Sequence, residues 1–190
     1  MSRPASCSDH ETHLVVFLDG NLDHLADLKS GLPPEADVYV LDPQQDGLAQ
    51  MAAILAGYFG LDAIHVISHG AAGRLQLGKI SLDAATLPGY GETLAAIGQS
   101  LADDGDLLWY GCEVAAGDSG QALVRQLARL TGADVAASDD WTGSAALGGD
   151  WILEVEQGRV EASPLSNPSY GLVLAGALPT LSIVDATAIE

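Results

Sequence analysis

The chain has 190 residues, enough for one domain of ordinary size, and its 48% apolar residues suffice for a hydrophobic core. The 26 acidic against 7 basic residues give a formal net charge of −19, which repels phosphate backbones and argues against a nucleic-acid partner. No apolar run approaches the ~18 residues of a membrane-spanning helix, so membrane insertion is not expected. The 2 cysteines exclude a disulfide framework and a cysteine-only zinc site.

Apolar runs alternate with amphipathic segments along most of the chain, which predicts βαβ units and a mostly parallel sheet. The predicted strands are, in chain order, Leu14–Leu18, Val38–Leu41, Ala63–Ser68, Asp106–Tyr110, Asp134–Ser138 and Trp151–Val155. The predicted helices are Asn21–Leu32, Asp46–Tyr58, Tyr90–Ala102 and Ser119–Leu130, with a small hairpin over Arg74–Leu82. We therefore expect an α/β domain, built as a three-layer α-β-α sandwich on a sheet of about six strands.

Composition changes at both ends suggest where this domain begins and ends. Residues 1–12 are polar and lack the apolar stretch of a classical signal peptide, so they are predicted to be a disordered lead. The domain itself is expected over residues 13–162, followed by a Pro- and Ser-containing linker over residues 163–178. Residues 179–190 resemble the first strand of a further β domain of the Calx-β type.

Two predicted strands end in residue types that carry chemistry. Ser68-His69-Gly70 follows the third strand, and Tyr110-Gly111-Cys112 follows the fourth. Because functional groups gather at the carboxyl edge of an open α/β sheet, His69 could act as a base for the Cys112 thiol. Gly70 lacks a Cβ, so its N–H could approach a substrate carbonyl and form an oxyanion hole with the N–H of Cys112.

Plainer interpretations of these residues remain open at this point. A single cysteine after an apolar strand is often a buried small apolar residue, and a single histidine is often a structural hydrogen-bonding residue. A metal site made of His65, His69 and Cys112 would lack a fourth ligand for zinc, so no metal is predicted. Neither is a cofactor, since no glycine-rich phosphate loop is present.

Several short motifs carry a family resemblance that covers residues 14–162. They are Leu41-Asp42-Pro43, Asp46-Gly47-Leu48-Ala49-Gln50, His65-Val66-Ile67-Ser68-His69-Gly70, Leu75-Gln76-Leu77-Gly78, Tyr110-Gly111-Cys112-Glu113-Val114-Ala115 and Thr131-Gly132-Ala133-Asp134-Val135-Ala136-Ala137-Ser138. With them the chain resembles the DUF4347 domain, found at the N-terminus of very large bacterial surface proteins and adhesins. It is also similar to the caspase-like (clan CD) cysteine peptidases, which implies a caspase-like sheet.

The resemblance also implies roles for particular residues. Cys112 matches the nucleophile of the caspase-like class, His69 matches its general base, and Gly70 lies beside the base. Asp139, Asp140 and Trp141 follow the fifth strand, where that class builds part of the pocket for P1, the residue before the cleaved bond. Two carboxylates there would suit an Arg or Lys at P1. They can equally be solvated turn residues of an acidic protein.

The resemblance therefore implies a cysteine endopeptidase with a Cys-His dyad, which acts on a polypeptide and has its own chain as one candidate substrate. The alternative is a catalytically silent presentation or adhesion module at the head of a surface protein. Under either hypothesis the protein is expected to be secreted or on the bacterial cell surface, with β domains of the same chain as its partners.

Overall fold

The computed structural model describes residues 13–175, which contain nine strands and four α-helices. The strands are β1 (Leu14–Asp19), β2 (Asp37–Leu41), β3 (Leu61–Ile67), β4 (Gly70–Ala71), β5 (Arg74–Leu77), β6 (Ile80–Asp83), β7 (Leu101–Tyr110), β8 (Asp134–Ala137) and β9 (Val155–Gln157). The helices are α1 (Leu25–Ser30), α2 (Gly47–Leu55), α3 (Gly91–Gly98) and α4 (Gly117–Thr131). The predicted N-terminal lead, the last residues of the predicted linker and the predicted start of a β domain lie outside the described residues.

The main sheet has six strands in the order β2-β1-β3-β7-β8-β9. Its first five strands pair in parallel, and β9 pairs antiparallel with β8. The prediction of an α/β fold with about six mostly parallel strands is thus confirmed. The predicted hairpin is present as β5 and β6, which form a separate antiparallel sheet with β4.

Apolar side chains on the central strands alternate between two hydrophobic clusters, because successive residues of a strand face opposite sides of the sheet. In β1, Val15 and Phe17 join one cluster and Val16 and Leu18 join the other. The first cluster packs against α2, α3 and α4. The second is covered by α1 and by the non-helical chain that follows β9. Among the described residues, no helix is both long and apolar enough to cross a bilayer.

Several predicted elements differ from the structure in their bounds. The helix expected over Tyr90–Ala102 ends at Gly98, and the strand expected from Asp106 begins at Leu101. The first helix was expected from Asn21 but begins at Leu25, because the Asp19 carboxylate accepts hydrogen bonds from the backbone and side chain of Asn21 and holds a turn there. The last strand was expected over Trp151–Val155 but occupies Val155–Gln157. Trp151 is buried in the second cluster, so its apolar character reflects packing on the sheet rather than strand pairing.

The described part of the predicted linker, residues 163–175, is packed on the sheet. Leu165, Tyr170 and Leu174 are buried, and the N–H of Leu165 donates to the hydroxyl of Tyr110 over 2.7 Å. The side-chain amide of Asn167 donates to the carbonyl of Leu28 at the end of α1 over 2.8 Å. These contacts make the segment part of the domain. Its proline and serine content indicated irregular chain correctly, but irregular chain can still be buried when side chains satisfy its polar groups.

Asp46 caps the N-terminus of α2. The Asp46 carboxylate accepts a hydrogen bond from the N–H of Ala49 over 3.0 Å. Replacing Asp46 by Ala should therefore lower the free energy of unfolding by about 1 kcal/mol, measured by urea denaturation. Asp103→Ala removes the same charge from an exposed position and serves as the control. Equal losses in both variants would show that net charge, not capping, is responsible.

Candidate active site

The candidate site lies where the neighbouring strands β3 and β7 end. Ile67 of β3 is in register with Tyr110 of β7, and His69 and Cys112 each follow two residues later. Parallel strands end at the same edge of a sheet, and this carboxyl edge is where open α/β folds bind ligands. The two side chains therefore leave the sheet at one edge, within reach of the same molecule.

Cys112 is 1% exposed, and its Sγ lies 3.6 Å from the carbonyl oxygen of Thr142. Burial raises the pKa of the thiol to about 11, and hydrogen bonding with the backbone partly offsets this rise. In this arrangement the thiol is protonated at neutral pH, because removing it from water disfavours the charged thiolate.

The loop that carries Cys112 is held in a defined shape. Glu113 has a positive φ of 59°, which is uncommon for a residue other than glycine. Its N–H donates to the carbonyl of Asp140 over 2.6 Å, and the N–H of Ala115 donates to the carbonyl of Ser138 over 2.8 Å. The loop is therefore anchored on the chain that leaves β8, and Cys112 is fixed relative to that chain.

Residues 172–175 cross the site as an extended segment, which we call the crossing segment. The N–H of Leu174 donates to the carbonyl of Thr142 over 2.9 Å, and the N–H of Ser144 donates to the carbonyl of Leu172 over 2.8 Å. An isolated antiparallel bridge between Gly143 and Val173 completes the pairing. The crossing segment is thus paired like a short β-strand with the chain beyond β8.

The carbonyl of Leu174 is the point at which the predicted site residues meet. Its oxygen accepts a hydrogen bond from the N–H of Gly70 over 3.3 Å, and it lies 3.2 Å from Nδ1 of His69. The side chain of Leu174 is fully buried, in the same apolar cluster as Cys112. The structure therefore places the imidazole, the Gly70 amide and the thiol around a single residue.

Gly70 has no room for a side chain. A Cβ there would lie 2.7 Å from the carbonyl oxygen of Cys112 and 3.0 Å from the carbonyl carbon of Gly111. Contacts this short force the backbone to move, so only glycine allows the observed approach to Leu174. The sequence predicts that the Gly70 N–H approaches a substrate carbonyl, and in the structure it donates to the carbonyl of Leu174 in the same chain.

Two details of the predicted dyad differ from the expectation drawn from the sequence. Among the described residues, no hydrogen bond joins Sγ of Cys112 to the imidazole of His69. The imidazole faces the carbonyl of Leu174, whereas the sulfur faces the carbonyl of Thr142. Nor does the N–H of Cys112 donate to the Leu174 carbonyl among these residues, so Gly70 is the backbone donor in place.

The residues predicted for a P1 pocket lie in the loop after β8. The side chains of Asp139, Asp140 and Trp141 are exposed. The Asp140 carboxylate accepts from the Ser138 hydroxyl, and partial burial together with the nearby Asp150 raises the pKa of that carboxyl. Among the described contacts, neither carboxylate reaches the crossing segment. The part of this loop that does is the backbone of Thr142–Ser144.

Sequence reasoning missed three residues of the site, namely Thr142, Ser144 and Leu174. Thr142 and Ser144 act through backbone groups, which leave no signature in residue type. Leu174 belongs to a short apolar stretch whose sequence has neither the periodicity of a helix nor that of a strand. The alternation of polar and apolar residues around Thr142 was the available signal, but it is too brief to identify a strand.

His65 does not take part in the site. It is buried, its Nδ1 lies 3.1 Å from the Tyr110 hydroxyl, and burial lowers the pKa of the imidazole to about 4. The groups that could hold a cation among the described residues are made of carboxylates alone. They are Asp106 with Asp134 and Glu161, and Asp140 with Asp150 and Glu154.

The fold and the site define an α/β domain with a histidine, a glycine amide and a cysteine at the carboxyl edge of a mostly parallel sheet. The chain matches the family model described as a domain of unknown function (DUF4347) over residues 15–171, and it belongs to this family. No curated protein matches the chain.

Proposed function

We propose that the chain is a cysteine endopeptidase of the caspase-like class, with Cys112 as nucleophile and His69 as the group that transfers the proton. The observation that carries the proposal is that His69 and Gly70 both face the carbonyl oxygen of Leu174, and that Cys112 lies in the same apolar cluster as the Leu174 side chain. A peptidase needs these three groups around the carbonyl that it attacks. In this proposal the sheet and its cover correspond to the three-layer arrangement of that class.

The proposed reaction uses each group at a stated atom. The thiol loses its proton as Sγ attacks the carbonyl carbon, and the N–H of Gly70 stabilises the negative charge that forms on the oxygen. His69 passes the proton to the departing amine, which leaves as the C–N bond breaks. Water then attacks the thioester, so the products are a carboxylate and the free thiol.

Peptide hydrolysis tests this proposal. A library of peptides is incubated at pH 7.5 with the wild-type chain and with Cys112→Ala. Both chains are also tested with the further substitution Leu174→Asp, because an aspartate cannot stay in the apolar site and the site is then open to added peptides. We expect turnover that falls roughly 10³-fold or more when Cys112 is replaced. Equal hydrolysis with and without Cys112, or none by any variant, would contradict the peptidase proposal.

A catalytically silent presentation module is the second candidate, because Cys112 is buried and its thiol has a raised pKa. In that case the crossing segment is a permanent part of the core, and the domain serves to hold other domains of the same chain. Neither the wild-type chain nor the Cys112→Ala chain would then hydrolyse any peptide.

The setting that we propose follows from the resemblance to surface-protein domains. The formal net charge of −19 is compatible with a secreted or surface-exposed bacterial protein, since high negative charge favours solubility. Immunodetection of the native protein on intact cells, before and after treatment with an external protease, tests this placement.

A further inference from the structure

We propose that the bond between Leu174 and Ala175 is the bond that this protein cleaves in its own chain, with Leu174 as the P1 residue. The inference rests on the proposed peptidase function and names its substrate. It replaces the hypothesis of a basic P1 residue, which the resemblance suggested for Asp139 and Asp140.

The path of the crossing segment is the first argument. Its residues Leu172 and Leu174 exchange backbone hydrogen bonds with Thr142 and Ser144, in an antiparallel arrangement. Clefts that bind extended peptides commonly add them as a strand in this way, because backbone bonds hold the peptide whatever its sequence. The segment is thus bound as a substrate peptide would be, in register with the site.

The position of one carbonyl is the second argument. Along the crossing segment, the carbonyl that faces His69 and Gly70 is that of Leu174, at 3.2 Å from Nδ1 and 3.3 Å from the amide nitrogen. The bond on its carboxyl side joins Leu174 to Ala175, and Ala175 forms an isolated bridge with Gly70. A bond held across the site at this point is the one that Cys112 would attack.

The surroundings of the Leu174 side chain are the third argument. It is 0% exposed and belongs to an apolar cluster with Cys112, Tyr110 and Tyr170. A lysine or arginine side chain there would leave a charge among apolar groups without a partner, which is strongly unfavourable. The pocket therefore selects an aliphatic P1 residue, and the exposed carboxylates of Asp139 and Asp140 do not define it.

The place of this bond in the chain fits self-cleavage. The family match ends at residue 171, so a cut after Leu174 leaves the matched domain whole and separates it from the residues that follow. A bond already held in the site is cleaved in a first-order reaction, and its effective concentration does not depend on other molecules.

The reaction balances with water as the second reactant. Sγ of Cys112 forms a thioester with the Leu174 carbonyl carbon, the bond to the Ala175 nitrogen breaks, and the thiol proton ends on the new amino group. Water then hydrolyses the thioester, giving a Leu174 carboxylate and the regenerated thiol. The products are residues 1–174 and a fragment that begins Ala175-Gly176-Ala177.

Intact mass spectrometry of the 190-residue chain tests the proposal. The chain is purified from denaturing conditions, refolded at pH 7.5 with and without calcium, and sampled over time, beside Cys112→Ala and His69→Gln. We expect the masses of residues 1–174 and 175–190 from the wild type alone. The rate constant should be unchanged over a 100-fold range of protein concentration, since the reaction is intramolecular.

Two substitutions at the P1 position sharpen the test. Leu174→Met keeps an aliphatic side chain of similar volume and should be cleaved within about 10-fold of the wild-type rate. Leu174→Asp should not be cleaved at residue 174. The Leu174→Asp chain should instead hydrolyse an added fluorogenic peptide that carries Leu-Val-Leu before the reporter group. It should hydrolyse this peptide at least 10 times faster than a peptide that carries Leu-Val-Arg.

The outcomes separate this inference from the peptidase proposal on which it rests. A wild-type chain that stays intact, or is cut at another bond, overturns the inference, while Cys112-dependent hydrolysis of added peptides would still support a peptidase. Absence of both overturns the two together. Equal cleavage of Leu174→Asp and wild type would also overturn the assignment of Leu174 as the P1 residue.

Discussion

Replacing Leu174 by Asp should make the Cys112 thiol about 100-fold more reactive toward iodoacetamide at pH 7.5. Burial raises the pKa of this thiol to about 11, against an ordinary value of 9.0, and Leu174 of the crossing segment belongs to the apolar cluster in which the thiol is buried. An aspartate at a fully buried position would have to leave the apolar cluster, and the segment would leave with it. Since thiolate is the reacting species, a pKa lower by two units gives roughly 100 times more of it.

The pH dependence of the alkylation rate tests the direction of this pKa change. The alkylation rate should rise with pH in both chains, but the variant should reach its plateau about two pH units below the parent chain, because its thiolate forms more easily. Both chains carry Cys7→Ser, which leaves a single thiol, and His69→Gln, which keeps the segment uncleaved. Ile152→Asp adds the same charge at a position that is 60% exposed and is the control. Identical profiles in all three chains would mean that the crossing segment does not protect Cys112.

The edge of the sheet at which His69 and Cys112 lie could be predicted from the sequence for a simple physical reason. Strands buried on both faces read as continuous apolar runs, and when they are parallel their carboxyl ends meet. Gly70 followed from the same reasoning, because a glycine next to a candidate base suggests close approach of backbone to substrate. These inferences depend on local sequence and on the regular geometry of a parallel sheet.

The presence of the crossing segment in the site could not be predicted in this way. Leu174 lies 105 residues after His69 and meets it through long-range pairing that no local pattern encodes. The short stretch around Leu174 is apolar, but the same composition suits a linker or an edge strand. The resemblance implies a P1 pocket at Asp139 and Asp140, whereas in the structure the segment is held by backbone groups of Thr142 and Ser144 and by apolar burial.

Replacing Gly70 by Ala should reduce the rate of cleavage after Leu174 by about 10²–10³-fold, which is the usual effect of losing one oxyanion donor. The added Cβ would come within 2.7 Å of the Cys112 carbonyl oxygen, so the two strand ends must separate and the Gly70 N–H must move away from Leu174. The rate is followed by intact mass, as for the wild type.

Gly89→Ala is the matched control, because a Cβ at Gly89 would meet nothing within 4 Å and the residue has no positive φ. It should cleave at the wild-type rate, and the circular dichroism spectra of both variants should match that of the wild type.

If Gly70→Ala is folded and still cleaves at the wild-type rate, the Gly70 amide is not an oxyanion donor, and its hydrogen bond to Leu174 serves only to hold the segment. The opposite result is a folded Gly70→Ala chain that cleaves slowly while Cys112 stays protected from alkylation. It would show that the Gly70 amide stabilises the oxyanion and is not needed to bind the segment. The segment would still be bound, and what was lost would be stabilisation of the charge that develops on the Leu174 oxygen.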